Sequence, residues 1–194
     1  MRICFATHNQ NKVRELAKLV ADSIEILSLD ELGINEEIEE TGNSLQANAL
    51  LKASYVYNNY GIPCFADDTG LEVEALDNAP GIYSARFAGK PVDNERNIDK
   101  LLSLLESQSN RVARFRTVVA YIENDNEYFF EGIADGEIIK KRKGVNGFGY
   151  DAVFLPTNFD RTFAEMDLDE KNKISHRAKA VKKLIDFLNQ RKSK

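Results

Sequence analysis

The sequence predicts an α/β fold built on a mixed β-sheet flanked by helices, in two lobes with a cleft between them. Three observations predict it. The chain opens with a strand–helix–strand pattern, the mark of a parallel βαβ unit. It later carries two long β segments separated by a turn, which reads as an antiparallel hairpin. Amphipathic helices are interspersed among these strands in mixed order, with no internal repeat, low-complexity tract or clear linker. The 194 residues are therefore read as a single domain, residues 1–194.

Each element has a local cause. Ile3 to Ala6 is a short apolar run and reads as a buried strand. After the polar loop Thr7-His8-Asn9-Gln10-Asn11, the residues Val13, Leu16, Ala17 and Val20 recur at helical spacing and make one apolar face. The residues around Ile24 and Ile26 form the second strand. An acidic, irregular stretch with Glu36, Glu37, Glu39 and Glu40 follows, and Thr41-Gly42-Asn43-Ser44 supplies a break and a helix cap. The helix from Leu45 to about Asn59 is ended by Gly61-Ile62-Pro63. Cys64-Phe65-Ala66 is a short strand that runs into Asp67-Asp68-Thr69-Gly70. Leu71 to Leu76 alternates with period two, as a half-exposed strand does. Asp77-Asn78-Ala79-Pro80-Gly81 is turn chemistry. Asp93 caps a helix whose face is Ile98, Leu101, Leu102 and Leu105. Val112–Ile122 and Glu127–Ile139 flank the hairpin turn Glu123-Asn124-Asp125-Asn126. The basic loop Lys140-Lys141-Arg142-Lys143 leads to a glycine-rich segment and a strand over Ala152–Leu155. Ser175 caps a last helix with the stripe Val181, Leu184, Ile185 and Leu188, and Arg191 to Lys194 reads as a frayed tail.

Composition narrows the function. The apolar fraction is 43% and the charged fraction 29%, as in ordinary globular proteins, and the net charge is −5. A nucleic acid polymer is a poor partner for that charge, although a local basic pocket for a small anion is not excluded by it. The longest apolar run, Val118 to Ile122, is five residues, whereas a membrane helix needs about 20. The first residues turn polar too early for a signal peptide. Cys4 and Cys64 sit in strand-like runs without metal-type spacing and read as reduced core thiols of a cytoplasmic protein. His8 and His176, the two histidines, leave a zinc site few ligands.

Four segments carry chemistry, each with a plainer alternative. Thr7-His8-Asn9-Gln10-Asn11-Lys12 lies between a strand and a helix start, where unpaired N–H groups and a lysine suit phosphate; the alternative is a capped helix with a solvated lysine. It is not a Walker A loop. Asp67 and Asp68 end an apolar strand, where carboxylates often hold Mg²⁺ near phosphates. In an extended strand the two would point to opposite faces unless Gly70 turns the chain; the alternative is an Asp-rich turn. The Glu36–Glu40 stretch offers a second ligand or is a solvated charge run. In Gly147-Phe148-Gly149-Tyr150-Asp151 the glycines allow close approach, Phe148 can stack on a flat ring and Asp151 can accept from its N–H groups; the alternative is an ordinary packed turn. In Lys171-Asn172-Lys173-Ile174-Ser175-His176-Arg177 two cations sit in the first turn of a helix, where the dipole disfavours them. Their presence points to a bound acceptor, such as a carbonyl or phosphate oxygen, unless both simply face solvent. Together these segments describe a nucleotide site.

The segments Ala6-Thr7-His8-Asn9-Gln10-Asn11-Lys12-Val13-Arg14-Glu15, Phe65-Ala66-Asp67-Asp68-Thr69-Gly70-Leu71, Ala79-Pro80-Gly81-Ile82-Tyr83-Ser84-Ala85-Arg86, Gly147-Phe148-Gly149-Tyr150-Asp151 and Lys171-Asn172-Lys173-Ile174-Ser175-His176-Arg177 closely resemble the inosine triphosphate pyrophosphatase family in its bacterial form, in the family's order and over nearly the whole chain. The resemblance implies a long twisted mixed sheet, a homodimer, and Mg²⁺-dependent hydrolysis of ITP, dITP and XTP to monophosphate and pyrophosphate, which clears deaminated purines from the nucleotide pool. It implies that Thr7, His8, Asn9, Gln10, Asn11 and Lys12 bind phosphates, with Lys52 facing them. Asp68 would be metal ligand and general base, and Thr69 would contact substrate. Phe148, Gly149, Tyr150, Asp151, Lys171, His176 and Arg177 would hold the nucleoside. The second acidic ligand lies among Glu40, Glu39 and Glu37. The sequence departs from the usual pattern at His8 (Gly or Ser), Thr69 (Ser) and Ala152 (Pro), and none of these removes a needed functional group.

On this reading a water oriented or deprotonated by Asp68 attacks the α-phosphorus, and Asp67 stands behind it. Donors from His176 and Arg177 would pair with the 6-carbonyl of hypoxanthine or xanthine and reject the amino group of adenine. A pyrophosphatase for other modified nucleotides, such as methylated pyrimidines, and a nucleotide sensor without catalysis are the competing readings.

Overall fold

The computed structural model describes residues 2–19 and 24–192. Val20 of the predicted first stripe and residues 193–194 of the predicted tail lie outside them. The elements in chain order are β1 (Arg2–Phe5), α1 (Gln10–Ala17), β2 (Glu25–Ser28), α2 (Leu45–Tyr60), β3 (Cys64–Val73), β4 (Pro80–Gly81), α3 (Asn94–Leu104), β5 (Val112–Glu123), β6 (Asn126–Ile138), β7 (Phe154–Pro156), α4 (Leu168–Ile174) and α5 (His176–Lys192). The sheet is mixed, in the order β2-β1-β3-β5-β6-β7, with β4 on β3. The chain divides into two compact units: Met1–Asp68, Thr117–Gly132 and Arg177–Lys194 in the first, Thr69–Arg116 and Ile133–His176 in the second.

In the first unit β1 pairs in parallel with both β2 and β3, with Cys4 opposite Cys64 and Phe5 opposite Phe65. The predicted βαβ start is therefore present. β1 is covered on both faces, which is why its sequence is a continuous apolar run. Ile3 and Phe5 join Leu16, Phe65, Val181, Leu184 and Leu188 in one core. Cys4 and Ala6 join Ala49, Ala53, Val56, Cys64 and Ala66 in the other. The strand pleat thus gives α1 and α5 one face and α2 the other. On α1, Leu16 is buried but Ala17 of the predicted stripe is exposed, while the charged Glu15 is buried instead.

In the second unit Leu71, Val73, Ile98, Leu101, Leu105, Phe115, Phe154 and Phe163 form the core. Here the structure corrects the reading of the acidic segment. Asp67-Asp68-Thr69-Gly70 is not a turn between two strands but the middle of the ten-residue β3. Gly70 is required by close approach: a Cβ there would lie 2.7 Å from the Gly81 carbonyl oxygen of β4. The chain turns later, after a 3₁₀ turn over Glu74–Leu76, where Asp77 and Asn78 adopt positive φ. Asn124 and Asp125 do the same between β5 and β6, which matches the hairpin expected there. The seven-residue α4 was not foreseen, although its capping box, Asp167 with Glu170, is visible in the sequence.

Candidate functional site

In the first unit the site is built around the acid pair. Because β3 continues through Asp67 and Asp68, their side chains emerge on opposite faces. Asp67 follows Phe65 onto the face covered by α1 and α5. There its Oδ1 accepts from Lys12 Nζ at 2.8 Å and its Oδ2 from Arg177 Nε at 3.0 Å. Arg177 also donates through Nη1 to Glu15. Asp68 follows Ala66 onto the α2 face, where its Oδ2 accepts from Asn48 Nδ2 at 3.1 Å. The backbone carbonyl of Asp67 takes Lys52 Nζ at 2.7 Å, and the same ammonium reaches Glu40 Oε1 at 2.5 Å.

The two acids differ in electrostatics as they do in partners. Burial alone would raise Asp67, but Lys12, Arg177 and Lys52 outweigh it and hold the carboxyl well below the usual range. Burial pushes Asp68 up, with Lys52 opposing and Glu40 adding to the rise. Burial lowers Lys12, against the pull of Asp67. Lys52 is buried as well, yet Asp68, Glu40 and Asp67 raise it overall. One face therefore holds a fixed anion between cations. The other holds a carboxyl with a raised affinity for protons beside a lysine whose own value is raised by the surrounding acids.

Glu40 is half-buried and engaged at this site, whereas Glu37 and Glu39 are exposed. Glu40 and Asp68 are hard oxygen donors. Among the described residues no group of three or more acidic, histidine or cysteine side chains is gathered as a cation site. Two carboxylates suit Mg²⁺, which takes few protein ligands and shares its coordination with phosphate oxygens and water.

The loop before α1 is organised by its own side chains. Asn9 caps the helix, its side chain accepting from Asn11 N and Lys12 N at 3.0 and 3.3 Å, and Thr7 Oγ1 accepts from Asn9 N at 3.1 Å. Gln10 is exposed at the first helical position, and Asn11 is half-buried. His8 acquires a local role: its Nε2 lies 3.1 Å from the Glu36 carbonyl oxygen and so ties this loop to the acidic stretch.

In the second unit Thr69 is half-buried on β3. The segment Phe148–Asp151 is folded around the Asp151 carboxylate, whose Oδ2 accepts from Phe148 N at 2.9 Å and from Lys171 Nζ at 2.6 Å. Gly147 has φ +73°, and a Cβ there would meet Asp151 Oδ2 at 2.1 Å, so this carboxylate needs glycine beside it. Gly149, at φ +60°, has nothing within 4 Å of a Cβ position. Tyr150 is buried and donates to the Ser84 carbonyl at 2.8 Å. Lys171 Nζ lies 5.2 Å from the Phe148 ring centroid. The ring of His176 stacks on Phe115, with centroids 4.5 Å apart.

Two findings modify the sequence reading. The acceptors sought for a cation at the start of α5 are internal: Asp67 and Glu15 take Arg177, which is 3% exposed. Sequence reasoning gave no role to Glu15 or Asn48. Both are buried polar residues on helices, and Glu15 lies off the predicted stripe of α1, on the side that carries Lys12. The segment Ala79–Arg86, which had no assigned task, supports the second unit: Ser84 Oγ donates to Gly81 O at 2.6 Å and accepts from Leu71 N at 2.9 Å.

Comparison with known proteins gives a consistent result. The model of the Ham1 family matches residues 3–187. Proteins named dITP/XTP pyrophosphatase from Christiangramia forsetii and Porphyromonas gingivalis are each 52% identical to this chain, covering 98% and 96% of it and 100% and 97% of themselves. Among solved structures, a HAM1 protein from Coxiella burnetii is 38% identical with a TM-score of 0.91, covering 98% of this chain and 99% of its own. The Staphylococcus aureus Ham1 protein is 36% identical with a TM-score of 0.90, covering 98% and 100%.

Proposed function

The chain belongs to the Ham1 family, and from that premise we propose that it is a dITP/XTP pyrophosphatase. It hydrolyses dITP, XTP and ITP to the monophosphate and pyrophosphate and so removes deaminated purines from the nucleotide pool. The observation that carries this reading is the division of labour across β3. A buried Asp68 lies beside Glu40 and Lys52, while Asp67 is locked behind it by Lys12 and Arg177.

Glu40 and Asp68 would hold Mg²⁺, which supplies charge neutralisation on the phosphates when bound. Lys12 and Lys52 place positive charge where it develops on the departing pyrophosphate. Asp68 orients a water and takes its proton, directly or through a second water. The water oxygen bonds to the α-phosphorus, the α–β bridging P–O bond breaks, and pyrophosphate leaves with the electron pair. Thr7, His8, Asn9, Gln10 and Asn11 present and shape the N-terminal end of α1 for phosphate.

Phe148, Gly149, Tyr150, Asp151, Lys171, His176 and Thr69 serve the nucleoside. A donor facing the 6-oxo group of the purine pairs with hypoxanthine or xanthine and opposes the amino group of adenine. Arg177 is engaged by Asp67 and Glu15 and Lys171 by Asp151, so each positions its carboxylate, which leaves base recognition to His176 and the Phe148–Asp151 segment. The family resemblance is what supports a homodimer in this reading. The buried free thiols Cys4 and Cys64 suit the cytoplasm.

Pyrophosphate release from dITP, XTP, ITP, dGTP and dATP, with Mg²⁺ and with chelator, tests this reading. Preference for the first three, abolished by chelator, is expected. Equal rates on dATP, or release of single phosphates, would overturn it.

A further inference from the structure

We propose that Asn48 is a positioning residue for the reaction, setting the Asp68 carboxylate and its spacing from Glu40. The inference rests on the reading of Asp68 and Glu40 as the cation-binding carboxylates. Asn48 is 0% exposed on a side of α2 that also buries Leu45, Ala49, Lys52, Ala53 and Val56. A buried amide on an apolar face is costly unless both of its ends are bonded. Both are. Oδ1 accepts the Gly42 N–H at 2.8 Å, and Nδ2 donates to Asp68 Oδ2 at 3.1 Å. Gly42 is bare on the amide side, since a Cβ there would lie 2.7 Å from Asn48 Oδ1.

One helical turn later the pattern repeats. Lys52 joins Glu40, at the end of the acidic stretch, to the backbone of Asp67 on β3. Residues 48 and 52 stand at i and i+4 and so share a face of α2. This face therefore clamps the acidic stretch to β3 at two points that bracket Glu40 and Asp68. A carboxylate has two equivalent oxygens that exchange by rotation about χ2. The bond from Asn48 removes that equivalence and fixes Oδ2, so the geometry of Asp68 is set before substrate or cation arrives.

A merely structural link would lower stability and leave the folded enzyme's kinetics intact. A positioning residue changes cation binding and kcat while sparing KM. Three quantities are measured on the full chain: melting temperature, the dissociation constant of Mn²⁺ without nucleotide (by the spin-resonance signal of the free ion), and kcat and KM for dITP at saturating Mg²⁺. Asn48→Ala is expected to weaken Mn²⁺ binding about tenfold and lower kcat more than tenfold, with KM within about threefold of the parent. Asn48→Leu fills nearly the same volume and makes neither bond. It guards against a folding failure caused by the cavity of the alanine variant, and the same fall in kcat with a melting temperature nearer the parent's is expected. Folded variants with kcat and Mn²⁺ affinity within twofold of the parent would overturn the proposal and leave the site reading standing. A parent chain that neither binds Mn²⁺ nor hydrolyses dITP would overturn both.

Discussion

Asp67 and Asp68 are neighbours in the chain with opposite fates. Asp67 is buried between Lys12 and Arg177, so its removal strands two cations in the interior. Breaking a buried pair from one side costs about 3–5 kcal/mol, and Asp67→Asn is expected to lose that much in urea unfolding. The pH dependence has a definite sign. Asp67 is held below the value of about 3.9 of a free aspartate, so its pairing stabilises the fold fully above about pH 4 and is lost as the pH falls through the lower, folded value. The parent should lose stability on acidification below that point, and Asp67→Asn should lose less over the same interval. Asp68 has the reverse sign. Its folded value is raised, so ionisation costs stability and the fold gains as the pH falls through that value. Asp68→Asn is therefore expected to melt no lower than the parent at neutral pH. Sequence inspection reached the opposite faces of the pair through strand periodicity alone. It did not reach the partners, because Lys12, Arg177 and Glu15 come from segments up to 162 positions apart.

Among the elements, β3 organises the first unit's site by continuing where the sequence suggested a break. Gly70 looked like a turn because glycine and aspartate favour turns; its actual cause is the β4 backbone against it. Gly70→Ala should destabilise the protein by about 1–3 kcal/mol through overpacking, measured by denaturant midpoint. The Gly147–Asp151 segment shows the complementary case, where glycine was legible but its reason was not. A side chain at Gly147 would require positive φ and would displace the Asp151 carboxylate, releasing Phe148 N and Lys171. Gly147→Ala is expected to raise KM for dITP more than tenfold while leaving kcat at saturation within about threefold; unchanged KM would remove this segment from nucleoside binding. Long elements were readable from sequence: α3 and α5 through their apolar stripes, α2 through its cap and its stop, and the β5–β6 hairpin through the turn between its strands. The seven-residue α4 was not, because two turns of helix give periodicity too little length to register.

For the whole molecule, composition and element order were sufficient for an α/β mixed sheet. The motif order carried the family, which the match over residues 3–187 then established. A net charge of −5 did not reveal that cations are concentrated where Lys12, Lys52 and Arg177 meet the acid pair, since a sum over the chain has no spatial content. Light scattering should give twice the mass of the chain, and a monomer at micromolar concentration would remove the proposed homodimer. In the proposed reaction Asp68 performs the chemistry while Asp67 holds the structure. The turnover number of folded Asp68→Asn with dITP and saturating Mg²⁺ tests it most directly. A fall of at least about a hundredfold, in a protein that melts no lower than the parent, is the predicted result. Turnover within a few-fold of the parent would contradict it.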